Sequence, residues 1–170
     1  MKFTICFVLL LSVLLMGCNK AQNVPKRADV DELNQFFYQH QAQFNELARA
    51  ACAYIATTSL GFDRFKPNAA VTYPEHLAPY AVKMNTLLNQ ISVDEMILHQ
   101  ATDDDCSLFI RKWAVWQSDG GSHLGYSYQP PKLSEYNPAI HHKDNRNTNE
   151  RLHFTKPLTD GWYIEYVNLP

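Results

Sequence analysis

The chain has 170 residues, 46% of them apolar and 19% charged. That fits one globular domain and excludes a disordered tail or a protein with several membrane spans. Its 15 basic residues against 17 acidic ones leave a net charge of -2, which argues against nucleic acid as a main partner.

The first element is a leader. Lys2 precedes an almost unbroken apolar run over residues 3–16, interrupted by Thr4 and Ser12. The run has the length of a signal-peptide core and falls short of the roughly 20 residues that a bilayer crossing needs. It ends in Leu14-Leu15-Met16-Gly17-Cys18. This resembles the bacterial lipobox, with Leu three residues before a Cys and a small residue directly ahead of it. The resemblance implies a diacylglyceryl group on the Cys18 thiol, cleavage after Gly17 and acylation, for example with palmitate, of the new amino terminus. Several acyl chains on one residue give stable anchoring where a single chain is marginal. In the Gram-negative lipoproteins this resembles, Asp after the lipidated Cys favours inner-membrane retention. Asn19 at that position implies the outer membrane, facing the periplasm. The chain is thus expected to divide into a signal peptide (1–17), a lipidated tether (18–28) and a single domain (29–170). Loss of the leader removes Lys2 and much of the apolar content, so the mature domain is more ordinary in composition than the whole chain.

The four cysteines are not equivalent. Cys6 leaves with the leader, and Cys18 carries the lipid. Cys52 and Cys106 remain in an oxidising compartment and read as one disulfide, the alternative being two buried thiols. Neither belongs to a C-x-x-C pair, which argues against redox chemistry.

Residues 29–59 read as one long amphipathic helix. Asp29 with Glu32 three residues on makes a capping-box start. Val30, Leu33, Phe37, Phe44, Leu47, Ala51 and Ile55 fall on one face at helical spacing, and His40 lies on the same stripe. Residues 61–71 read as a packed loop. A second helix is expected to begin near Thr72, with Leu77, Tyr80, Met84, Leu87, Leu88 and Ile91 as its buried stripe. Pro79 lies either in its first turns or at a kink. The period then changes to two. Strands are expected over 96–100, 106–117, 122–129, 151–155 and 161–167, with turns at Asp103-Asp104-Asp105, at Ser118-Asp119-Gly120-Gly121 and across 157–160. Along 106–117, strict alternation sets Leu108, Ile110, Lys112, Ala114 and Trp116 against Phe109, Arg111, Trp113 and Val115. Residues 132–150 are polar and aperiodic and read as a long surface excursion. The expected architecture is α+β: two N-terminal helices on one face of an antiparallel sheet of about five strands.

Candidate chemistry is sparse. His141, His142 and His153, with Asp144 and Glu150 nearby, are the densest group of possible metal ligands, but no H-E-x-x-H or H-x-H spacing converges them. His40 reads as a core histidine. His123 has the makings of a base but no nucleophile beside it in sequence. The Asp103-Asp104-Asp105 run lacks the spaced oxygens, glycine and late Glu of a calcium loop. No G-x-S-x-G elbow or phosphate loop occurs, so the reading leans away from an enzyme and requires no cofactor. The aromatic residues are more informative. Trp113, Trp116, Tyr126, Tyr128 and Trp162 concentrate in the strand half. They read either as core and sheet-face packing or, more sharply, as candidates for an aromatic contact surface, since Trp and Tyr dominate binding hot spots.

The strand with Gly121, Gly125, Tyr126 and Tyr128, the closing Gly161-Trp162-Tyr163 strand and the Phe-rich first helix together resemble small secreted or lipid-anchored bacterial α+β proteins to which no activity attaches. The expected function is a periplasm-facing, lipid-anchored, non-enzymatic protein that binds a protein or another envelope component. One alternative is an immunity protein against a periplasmic toxin. Another is a hydrolase or metal-binding protein that uses His141, His142 and His153.

Overall fold

The computed structural model describes residues 26–58, 60–100, 106–117, 120–141 and 151–169. Cys18 and its lipobox lie outside the described residues, as do residues 103–105 and 118–119 and His142, Asp144 and Glu150.

Helix α1 spans Val30–Gln39. Asp29 caps it, its carboxylate accepting the backbone N–H groups of Asp31 and Glu32 at 2.7 and 3.4 Å. Those donors have no partner inside the helix, and the acidic first turn suits the positive end of the helix dipole. Asp29→Ala is expected to lower stability by about 1 kcal/mol in a urea titration, with the slope unchanged. A loss below a few tenths would show that the cap is idle.

The single long helix expected from the apolar stripe is two helices. His40 leaves helical geometry (φ -121°, ψ 19°) and its N–H donates to both Phe36 and Phe37 carbonyls. Helix α2 then runs Gln41–Thr57. No Gly or Pro marks the break, and the apolar positions continue through it, so the sequence carries no signal for it. The bend brings Phe37 and Phe44, one from each helix, to 4.9 Å between ring centroids, and both rings reach Tyr126 and Trp162.

Residues 61–71 were expected as loop but contain strand β1 (Phe62–Phe65). Four residues are too few for a period-two signal to emerge. Helix α3 spans Ala78–Gln90, later than the expected start, after a turn closed by Leu77 and Ala78 N–H groups on the Pro74 carbonyl. Pro79 sits in its first turn, where its missing N–H costs nothing. Strands β2 (Met96–His99), β3 (Ser107–Gln117) and β4 (Gly120–Tyr128) follow, then a single turn α4 (Pro138–His141), β5 (Leu152–Pro157) and β6 (Trp162–Leu169). The α+β class stands, with a six-stranded antiparallel sheet in the order β1-β2-β3-β4-β6-β5. The difference from about five strands is β1, and the two expected N-terminal helices are three, with α3 following β1 rather than preceding the sheet.

The inner face of the sheet meets the helices. Met96, Leu98, Leu108, Ile110, Leu124, Tyr126, Phe154, Trp162, Ile164 and Tyr166 are buried against Phe37, Phe44, Leu47, Ile55, Met84 and Leu88. The Tyr126 hydroxyl donates to the Leu33 carbonyl at 2.8 Å, and burial pushes its pKa up. The Trp162 indole N–H donates to Asn45. Cys52 of α2 and Cys106, just ahead of β3, form a disulfide with Cα atoms 5.6 Å apart. It staples the second helix to the sheet. Arg27, expected within the tether, is buried instead. It donates to the His141 carbonyl at 3.0 Å and lies over the Tyr166 ring.

One local feature decides which side chains face out. The β3–β4 register shifts between Arg111 and Trp113, so a bulge at Lys112 inserts one extra residue and reverses the alternation beyond it. Leu108, Ile110 and Trp113 are buried, and Val115 packs partly against the same core. Phe109, Arg111, Ala114 and Trp116 face the other way. The expected strict alternation over 106–117 is corrected here. It would have put Trp116 with Ile110 and Trp113 with Phe109, and the bulge exchanges the two indoles. The Lys112 ammonium donates to the Ile91 and Ser92 carbonyls at the C-terminal end of α3 and lies 4.7 Å from the Phe36 ring. A cation there complements the helix dipole, while burial lowers the Lys112 pKa.

Candidate functional site on the open face of the sheet

The outer face of the sheet carries an aromatic ridge built on glycines. Trp116 pairs across the ladder with Gly121, and Gly125 stands opposite Arg111 with the Phe109 ring beside it. A Cβ on Gly121 would meet the Trp116 ring at 2.7 Å, and one on Gly125 would meet the Phe109 ring at 3.0 Å and collide with the Ile110 carbonyl. The two glycines therefore let large rings lie down across a neighbouring strand. His123 stands between these rings, 5.1 Å from Phe109 and 6.5 Å from Trp116 by centroid. Burial is the main cause that lowers the His123 pKa. The Glu165 carboxylate opposes that effect, and the Arg111 and His153 charges reinforce it. Trp116 is 67% exposed, so the ridge ends in an open indole.

Charged groups flank the ridge on both sides. Towards β1, the carboxylate of Glu95 is buried and paired with Arg64 at 3.2 Å and with Arg111 at 2.5 Å. A buried carboxylate needs such partners, and here two guanidiniums supply them. Towards β5, the imidazole of His153 sits between two groups. Its Nδ1 is 2.8 Å from the Ser134 hydroxyl, and its Nε2 is 2.9 Å from Glu165 Oε1. His153 and Glu165 come from paired strands, where Thr155 stands opposite Glu165 and His153 opposite Val167. Ser134 arrives from the segment that runs along the free edge of β5. Its N–H donates to Thr155 Oγ1 at 2.9 Å, and its carbonyl accepts from the Thr155 N–H at 2.7 Å. The segment satisfies backbone groups that an exposed edge strand would otherwise offer to another chain.

The sequence candidates separate clearly. Of the five aromatic residues expected on a contact surface, Trp113, Tyr126 and Trp162 are buried on the inner face, and Tyr128 packs partly against them, 5.2 Å from Trp162. Trp116 alone of the five stands open. Alternation showed that the strands had two faces, but not which face the helices would take. His141 and His153 do not converge. His141 is buried, stacks on Phe154 at 4.8 Å and accepts the Asn137 N–H at Nδ1. Phe154 and His153 are successive strand residues and so point to opposite faces. Among the described residues, no group of three His, Cys, Asp or Glu side chains could hold a metal ion, and His142 lies outside them. His40 is partly buried beside Phe36, with ring centroids 4.4 Å apart. Ser134 and Glu165 had no motif to mark them. They are 31 residues apart in the chain and meet only through His153.

No helix of the described residues is long and apolar enough to cross a membrane. No protein-family model matches the chain, and neither a curated protein nor a solved structure matches it.

Proposed function

We propose that this is a lipid-anchored envelope protein that docks a protein partner on the outer face of its sheet. The observation that carries the reading is Trp116, an indole 67% exposed at the end of a ridge otherwise packed against glycine. Trp is among the residues most enriched at interface hot spots. Towards β1, the Glu95 carboxylate with Arg64 and Arg111 supplies the polar rim that such interfaces carry.

Anchoring rests on the lipobox-like run that ends at Cys18. From Cys18 to the buried Arg27 the chain reaches about 30 Å at full extension, so a lipid there keeps the domain close to the bilayer. Arg27, the residue that ends this reach, lies over the Tyr166 ring on the inner side of β6. Asn19 favours the outer membrane and the periplasm as the setting. Cys18→Ser is the direct test of the anchor, with the protein expected to move from the membrane fraction to the soluble one.

A photocrosslinking amino acid at position 116 is expected to give an adduct of one reproducible mass in cells. The same group at Val82, exposed on α3, is expected to give none. Trp116→Ala should leave the unfolding free energy within about 0.5 kcal/mol and weaken partner binding by about 2 kcal/mol or more. Identical adducts at both positions, or none at 116, would overturn the docking face.

A further inference from the structure

We propose that Ser134 is a nucleophile, activated by His153, that takes the acyl group of small carboxylic esters. The inference stands apart from partner docking and rests on three side chains at the β5 edge. A neutral imidazole has one N–H and one lone pair. Here the carboxylate of Glu165, 2.9 Å from Nε2, fixes the N–H on that atom. The lone pair is then on Nδ1, 2.8 Å from the Ser134 hydroxyl, which donates to it. A serine hydroxyl bonded to an imidazole that a carboxylate orients is the arrangement that general-base activation requires. The ring is turned end for end relative to serine proteases, in which Nε2 meets the serine. Either nitrogen serves as the base once the other is held.

Position and access fit the role. Thr155 clamps the Ser134 backbone at both its N–H and its carbonyl, so the hydroxyl is held by fixed backbone rather than by a free loop. The His153 and Glu165 side chains retain 20% and 16% exposure, shielded enough to strengthen the pair and open enough to be reached. Glu165 lies beside the imidazole, and Glu135, next in the chain to Ser134, is exposed. Acyl transfer to a serine hydroxyl needs a carbonyl carbon that carries a leaving group, which a small carboxylic ester supplies. Among the described residues, His123 also faces this region, within electrostatic reach of Glu165, Arg111 and His153.

In the step, Ser134 Oγ forms a bond to the ester carbonyl carbon while its proton passes to His153 Nδ1. The tetrahedral adduct collapses, the bond to the alcohol oxygen breaks, and that oxygen leaves with the proton from Nδ1. Water, deprotonated by the same nitrogen, then attacks the acyl carbon; the bond to Ser134 Oγ breaks, Oγ takes back the proton from Nδ1, and the acid is released. Glu165 touches no reacting atom and is a positioning residue.

The test uses the full-length protein in detergent, with a fluorophosphonate probe and p-nitrophenyl acetate. The probe is expected to modify Ser134, located by peptide mass mapping. Ser134→Ala is expected to lose the adduct and at least 100-fold of the ester hydrolysis, with an unchanged melting temperature. Glu165→Gln is expected to slow labelling at least tenfold, and Glu165→Asp to recover part of the rate, which a merely structural hydrogen bond would not do. Should Ser134→Ala fail to fold, Ser134→Cys provides the second reading. Its thiol is expected to alkylate at least tenfold faster than the same thiol in a Ser134→Cys/His153→Gln double variant. An unlabelled Ser134 under conditions that label an active serine hydrolase, or equal rates with and without His153, would overturn the proposal.

Discussion

Phe44→Ala is expected to remove about 3–5 kcal/mol of stability, the range for deleting a buried aromatic ring. Phe44 is 0% exposed. Its ring lies 4.9 Å from Phe37, 4.7 Å from Tyr126 and 5.2 Å from Trp162 by centroid, with edge-on geometry to the last two. These four rings come from α1, α2, β4 and β6, so one side chain joins both N-terminal helices to the middle of the sheet. Its neighbours are anchored elsewhere, Tyr126 by Leu33 and Trp162 by Asn45. They cannot collapse freely into the space left, and such a cavity is costly. A urea titration measures the loss as a lower midpoint at unchanged slope. Phe44→Leu should cost less than half as much, because most of the volume is kept. A loss below 1 kcal/mol for the alanine variant would mean that the cluster repacks.

The second large effect is expected from the disulfide. Cys52 and Cys106 are 54 residues apart in sequence, and closing a loop of that length in the unfolded chain is worth about 4 kcal/mol in the chain-entropy account. Measured effects commonly reach 2–4 kcal/mol, so Cys52→Ala/Cys106→Ala should fall in that range, and reductant should lower the wild-type midpoint similarly. The enclosed segment holds β1, α3 and β2, whose order reports the loss. Circular dichroism across a guanidinium titration, with and without reductant, checks the size. Mass mapping of unreduced protein should find the two peptides linked. Two free thiols alkylated without reductant would remove the basis of the expectation.

The parts of the fold that were legible in sequence are those governed by short-range periodicity. The apolar stripes from Val30 to Ile55 and from Leu77 to Ile91 read as helix because spacing of three and four reflects backbone geometry alone. Asp29 read as a cap because its carboxylate needs only its own neighbours. Pairing Cys52 with Cys106 followed from compartment and count, and the structure joins them. Three features were not legible. The break at His40 interrupts no apolar pattern. Strand β1 is four residues long and exists because β2 offers it an edge. The bulge at Lys112 follows from the fit of β3 to β4 and of the lysine to the end of α3.

The candidate site divides in the same way. The sequence located the aromatic residues and His153, but the open face belongs to Trp116 because a one-residue bulge reverses the strand beyond Lys112. The Ser134–His153–Glu165 chain had no local trace, since its members lie on an edge segment and two strands and meet only when the sheet closes. Composition and sequence alone determined the α+β class, the helix stripes and the expectation of an anchored, oxidised setting, because these depend on neighbours in the chain. Tertiary structure decided which face of each strand is buried and which polar groups meet. Those outcomes depend on contacts between segments that no spacing along the chain encodes.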